Sequence, residues 1–459
     1  MSDAPTPAPT PAAPAGSDPK SARPAPDALS PYHRTVRMLS DRLVEAQRPI
    51  RILDACKWDD EIERAFHESG ARELPAVTRE YYEKRPPAFD IEEKRREFYT
   101  LERDIRRELG TMNACGDLML RACKEYRVVL DLIELRGTPE FSAISQGLYG
   151  STFDRFHAGD PTLGDLGRTM AEILSRLVAD ASLADEDKSY DAPAAVAFLA
   201  ERMDAYFGPG VVKVKLSDGV VADAAAGADY IKVRQDARFS RRDLEVLEVH
   251  EGWVHIGTTL NGQLQPVATF LGKGTPACTV TQEGLAIIQE IFTFKSKPAR
   301  AKKLTDRIEA IRMAEEGADF LQVYRALLEA GNDERNAYQT AQRAFRGSLP
   351  AGCGPFTKDV SYSKGFILIY NFVRLAVREG LAGRIPLLFV GKLRLSDLGL
   401  LHQLAEEGLV QAPRYLPPPY TDLRGVAAWM AYSNFLNTID LRRARDDYAG
   451  LLSGKSHDV

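Results

Sequence analysis

The run His250-Glu251-Gly252-Trp253-Val254-His255 supplies two imidazoles five residues apart with a carboxylate beside the first, and Glu283 follows 33 positions after His250. Two nitrogen ligands, a possible third ligand and a spare carboxylate are the parts of a zinc hydrolase. In the commoner H-E-x-x-H signature the histidines stand four apart, so one helix face presents both to a metal while the glutamate polarises the bound water. At roughly 100° per residue, a spacing of five turns the second imidazole about 140° from the first, too far for both to reach one ion. The spacing therefore predicts a distorted helix, in which a local i→i+5 turn returns both rings to one face. Gly252, a poor helix former, falls inside the spacer where that distortion belongs.

Local signals place the motif on a helix. Ser240 and Asp243 have the spacing of a capping box, and Leu244 and Leu247 continue a helical pattern up to His250. Before them, Val212-Lys213-Val214-Lys215-Leu216 and Tyr230-Ile231-Lys232-Val233-Arg234 alternate apolar and polar residues as half-buried strands do. Further on, Thr279 and Gln282 have capping-box spacing ahead of the apolar run from Leu285 to Ile288, which predicts a second helix with Glu283 in its first turn. An acidic residue there is ordinarily a response to the helix dipole, and Glu283 is a ligand candidate because two histidines await a third. Glu290, seven residues on, shares its face and could support a ligand histidine, although a surface glutamate is the ordinary expectation.

The segments Thr258-Thr259-Leu260-Asn261-Gly262, Gln265-Pro266, Gly272-Lys273-Gly274 and Thr281-Gln282-Glu283-Gly284-Leu285-Ala286 resemble the bacterial QEGLA-motif proteins, commonly labelled flavohaemoglobin-expression-modulating. Those proteins resemble in turn the microtubule-associated tyrosine carboxypeptidases, metallopeptidases with an H-E-x-x-x-H helix. The likeness continues through Phe345-Arg346-Gly347, Phe356-Thr357-Lys358-Asp359, Tyr362, Gly365, Tyr370-Asn371-Phe372 and Gly391-Lys392, and so covers most of residues 206 to 420. It implies that His250, His255 and Glu283 hold one Zn²⁺ per chain while Glu251 serves as general base. The substrate does not carry over, because function lives in a site and not in a fold.

Two neutral imidazoles and one carboxylate leave zinc a positive charge and an open position for water, whose pKa falls toward about 7. Glu251 would accept a proton as that water attacks a scissile carbonyl and pass it to the departing amine. Tyr362 is the candidate donor to the oxyanion, since a phenol adds no permanent charge. A carboxypeptidase must also recognise a terminal carboxylate, for which Arg346 and Lys358 are the candidates and Arg343 a third. An aminopeptidase would instead need an acidic group for the terminal amine, and Asp359 is available. A regulatory protein with a structural zinc is a third reading, against which Glu251 stands, because a closed structural site needs no spare carboxylate.

Composition bounds the rest. At 459 residues, 44% apolar and 27% charged, the chain has the makeup of an ordinary globular protein with two or three domains. A net charge of −5 gives no reason to expect nucleic acid or an anionic membrane surface, and no apolar run approaches the roughly 20 residues of a membrane span. Five scattered cysteines without a C-x-x-C pair, and no apolar leader, point to a cytoplasmic protein. The expected organisation is a disordered Pro/Ala-rich tail over residues 1–30, a helical N-terminal region over 31–207 and a catalytic domain over 208–459. The fold expected is α+β and predominantly helical: a zincin-like metallopeptidase domain with a small sheet, acting on a peptide or protein terminus. Single helices are expected over 304–330, 333–346 and 362–379, and a last one from Asp422 to about Leu452.

Overall fold

The structure, a computed structural model, describes residues 29–218, 222–441 and 448. The expected tail therefore lies almost wholly outside the described residues, as does most of the far end expected for the last helix. The fold is α+β and predominantly helical, with one three-stranded sheet.

Helices α1 (Pro31–Gln47), α2 (Ile91–Leu109) and α3 (Ala114–Glu134) each start where a short polar side chain accepts a backbone amide three residues on: Ser30, Asp90 and Asn113. α4 (Leu163–Val178) and α5 (Ala192–Phe207) follow, and α5 leads into the sheet. The sheet has the order β1 (Lys213–Ser217), β3 (Tyr230–Arg234), β2 (Ala224–Ala226), with β1 parallel and β2 antiparallel to β3. In β3 the alternation read from the sequence holds, since Ile231 and Val233 are fully buried between half-buried neighbours. The alanine run of β2 was not expected, because it lacks the β-branched side chains that mark a strand.

After the sheet, α6 (Arg241–Leu247) begins on a complete Ser240–Asp243 capping box and passes directly into a π-helical segment, Glu248–Ile256. That segment continues as α7 (Gly257–Leu264). Then come α8 (Cys278–Phe292), α9 (Pro298–Glu315), α10 (Phe320–Glu329), α11 (Glu334–Phe345), α12 (Val360–Arg378) and α13 (Leu423–Leu436). The single helix expected over 304–330 is in fact α9 and α10. Gly317 adopts φ +97°, which ends α9, and Asp319 with Gln322 builds a capping box that starts α10. Among the described residues no helix is long and apolar enough to cross a membrane.

Among the described residues four apolar clusters hold the fold together, the smallest of them around Phe141, Tyr149 and Phe356. The largest joins Val36, Leu39, Phe98 and Ile133 of the N-terminal helices to Leu285 and Ile288 of α8 and Ile369 and Val373 of α12. A second packs Trp58, Phe66 and Tyr82 against α9, α10 and α11, and a third packs α5 against β3 and α6. The cores thus run across the boundary near residue 207. The closest approach is between α8 and α12, where a Cβ built on Gly365 would stand 2.0 Å from the Val280 carbonyl oxygen and one on Gly284 would stand 2.3 Å from the Gly365 backbone. Only glycine lets these two backbones meet, and both atoms struck are backbone that cannot swing aside. Gly365→Ala is therefore expected to lower the unfolding free energy by about 1–3 kcal/mol in urea titration, and an unchanged midpoint would show that the two helices separate without cost.

Candidate metal centre

The π-helical winding of Glu248–Ile256 does what the five-residue spacing requires. His250 and His255 come onto one face, their ring centroids 4.9 Å apart and their planes at 83°. Gly252 sits opposite Met203 of α5, where a Cβ would lie 2.6 Å from the Met203 methyl, so the absent side chain lets α5 close on the distorted turn. Glu283 enters from α8. That helix starts at Cys278 and not at a Thr279–Gln282 box, which places Glu283 in the second turn and corrects the first-turn expectation. The Gln282 side chain is engaged elsewhere: its Oε1 accepts from Thr258 Oγ1 at 2.8 Å and from Lys392 Nζ at 3.0 Å.

Glu283 Oε2 lies 3.5 Å from Nε2 of His250 and 3.5 Å from Nε2 of His255. It is buried, and no hydrogen bond closes on it. The other oxygen, Oε1, faces Lys358 Nζ at 3.3 Å. Behind the pair, His250 Nδ1 contacts Glu290 Oε1 at 2.7 Å, and Arg300 grips the same carboxylate through Nε and Nη2. Glu290 is fully buried, so the expectation of a surface residue is corrected, and the alternative reading, in which it meets one of the histidines, describes its contact with His250. Glu251, by contrast, turns toward β2, where its Oε2 accepts the Ala226 amide at 3.0 Å. His250, Glu251 and His255 also bring one ligand atom each within 4.8 Å of one another, so two carboxylates stand near the imidazole pair.

The electrostatics favour a positive charge between these groups. Burial opposes an imidazolium at His250, but the Glu283 and Glu290 carboxylates outweigh it and raise the pKa to about 9. Burial likewise opposes the charge on Glu283, yet Lys358 and the two histidines hold its carboxyl well below the ordinary range. Glu251, His255, Glu283, Lys358 and Lys392 line a cavity of about 560 Å³ together with residues 50–54 of the N-terminal region.

A sequence profile of the microtubule-associated tyrosine carboxypeptidases matches residues 64–438. The chain belongs to the microtubule-associated tyrosine carboxypeptidase family. No curated protein sequence matches it. The stretch shared with the family contains every residue of the centre, from His250 to Lys392, and also the remaining residues singled out from the sequence.

Those remaining residues lie close by but are differently engaged. Arg343 makes a two-point contact with Asp359, through Nε at 2.5 Å and Nη2 at 3.0 Å, and Arg307 stands 3.8 Å from the same carboxylate. Arg346 is buried with its guanidinium 5.5 Å from the Phe356 ring centre, and burial with the neighbouring Arg343 lowers its pKa to about 10. Tyr362 lies between Arg307 and Lys358, whose charges stand 5.3 and 5.7 Å from its ring centre, and burial keeps its phenol protonated. Lys392, missed as a site residue despite its place in the Gly391-Lys392 motif, also donates to the His255 carbonyl at 3.2 Å. Burial opposes the Asp359 charge, but Arg343 and Arg307 hold its carboxyl far below the ordinary range. A depressed folded-state value contributes stability above the unfolded value near about 4 and loses it as pH falls. Asp359→Asn is expected to cost about 2–4 kcal/mol at neutral pH, because two half-buried guanidinium groups lose their buried counter-charge. The gap from wild type should shrink in denaturation series run below about pH 4, and a pH-independent gap would contradict the pairing.

Proposed function

We propose that the chain is a zinc-dependent carboxypeptidase in which His250, His255 and Glu283 hold the metal and Glu251 is the general base. The observation that carries this reading is the position of Glu283 Oε2, buried, without a hydrogen bond and equidistant at 3.5 Å from both imidazole nitrogens. Ligand atoms about 2.0–2.1 Å from one tetrahedral ion stand about 3.4 Å apart, so the donor set fits zinc in both chemistry and spread. Glu251 is the weaker third ligand, since the Ala226 amide already occupies one of its oxygens. The Glu290 contact fixes the ring orientation of His250 and turns Nε2 toward the centre, a common arrangement around metal-bound imidazoles. We read the small sheet beside the histidine helix as zincin-like, the chain as a QEGLA-motif member of its family, and the protein as cytoplasmic. In this reading residues 208–459 are the catalytic unit and the helical N-terminal region supplies a wall of the cleft, as its lining by residues 50–54 supports.

A zinc ion bound here supplies a Lewis acid and lowers the pKa of a coordinated water toward about 7. The Ala226 amide holds one oxygen of Glu251 and leaves the other to take a proton from the attacking water and return it to the departing amine. Tyr362, kept protonated by burial, donates to the developing oxyanion. The family's name describes removal of a C-terminal tyrosine, and we extend to this chain the removal of a C-terminal residue from a peptide or protein. An aminopeptidase would need a carboxylate free to meet an amine, and the acidic candidate Asp359 already faces two guanidinium groups.

Metal analysis together with C-terminal release from synthetic peptides tests the reading. Wild type and Glu251→Gln are expected to hold about one zinc per chain, with kcat lower by about 10²–10⁴-fold in the variant. Glu290→Gln, which keeps the side chain's size, is expected to weaken zinc binding by about 10–100-fold. Equal turnover by wild type and Glu251→Gln would rule out the catalytic role and favour a regulatory zinc protein.

A further inference from the structure

The cations around the cleft differ in how their charge is met. Lys358 faces Glu283, Arg300 faces Glu290 and Arg343 faces Asp359. Arg51 is 63% exposed, with Asp54 at 3.8 Å. Among the described residues Lys392 bonds only to neutral oxygens, those of the His255 carbonyl and the Gln282 amide. The half-buried Lys273 side chain has no hydrogen bond or ion pair with any described residue. Burial lowers its pKa, and the neighbouring charges of Arg51 and Arg48 push the same way. Lys273 and Lys392 both line the cleft and both line a small cavity of about 40 Å³ beside it. Gln47 lines that cavity too, 1% exposed, with neither its amide oxygen nor its amide nitrogen hydrogen-bonded.

Two half-buried lysines on one cleft with no carboxylate partner among the described residues, beside a buried amide without a hydrogen bond, form an arrangement that an anion would complete. We propose that Lys273 and Lys392 form the subsite that holds the free α-carboxylate of the peptide substrate. This rests on the carboxypeptidase reading and names the residues that would enforce it. A carboxylate offers two oxygens, one for each ammonium, in charge-assisted hydrogen bonds. Lys392 rests on the backbone of His255, so the subsite directly adjoins the imidazole pair, as it must if one residue separates the carboxylate from the scissile bond. A substrate ending in an amide would leave both charges unmet, which discriminates more strongly than any apolar contact.

The test measures binding of N-acetyl-tyrosine and N-acetyl-tyrosinamide to zinc-loaded wild type, Lys273→Met and Lys392→Met, beside turnover of one peptide as free acid and as C-terminal amide. Wild type is expected to favour the acid by at least about tenfold, and Lys273→Met to lose that preference by weakening the acid alone. Because Lys273 has no partner among the described residues, its variant should unfold at the same temperature as wild type or higher, which separates a lost subsite from a damaged fold. Equal binding of acid and amide by wild type, or an acid preference that survives in Lys273→Met, overturns the subsite. Turnover of the free acid with a preference indifferent to Lys273 would refute this subsite and leave the carboxypeptidase reading standing. Acid-selective binding through Lys273 without any turnover would do the reverse.

Discussion

Two imidazoles five residues apart can face one point only if the helix carrying them is wound wider than an α-helix, and the rest of the centre follows from that winding. The distortion over Glu248–Ile256 is held from several directions. A capped α6 feeds it, α7 continues it, Met203 lies against Gly252, and the Ala226 amide of β2 fixes Glu251. A wide turn weakens the regular hydrogen-bond ladder, and such turns persist where surrounding contacts over-determine them. The third group, Glu283, comes from a helix whose own position is set by the glycine contact with α12.

Burial of so many charges in one region would be costly if they were left alone, and most are met in pairs: Glu290 with Arg300, Asp359 with Arg343 and Arg307, Glu283 Oε1 with Lys358. Two of the exceptions lie on the cleft side. Among the described residues Glu283 Oε2 has no donor and Lys273 has no acceptor. One calls for a cation and the other for an anion, and both border the same cavity. In the proposed reading, these two groups on the cleft mark the ligand positions.

Much of this was legible in the sequence where the signal is local. The five-residue spacing announced the wide turn, Ser240 and Asp243 announced the start of its helix, and the alternation in Tyr230–Arg234 announced the central strand. Signals failed where one residue type serves two purposes. Gln282 looked like a capping partner and instead receives Thr258 and Lys392, so the start of α8 was misplaced. Glu290 shares a helix face with Glu283, which offered a contact with a histidine, but its burial and its pairing with Arg300 arise only after the chain has folded. The break at Gly317 was written in the sequence, a glycine followed by a capping box, but the helical composition on either side masked it.

The most direct measurement is anomalous diffraction at the zinc absorption edge, on crystals of protein purified without a histidine tag. The account predicts one strong peak between Nε2 of His250, Nε2 of His255 and Oε2 of Glu283, with Glu251 outside the ligand set. A peak that takes Glu251 in place of Glu283 would contradict the ligand assignment, and no peak in zinc-soaked crystals would contradict the metal centre itself.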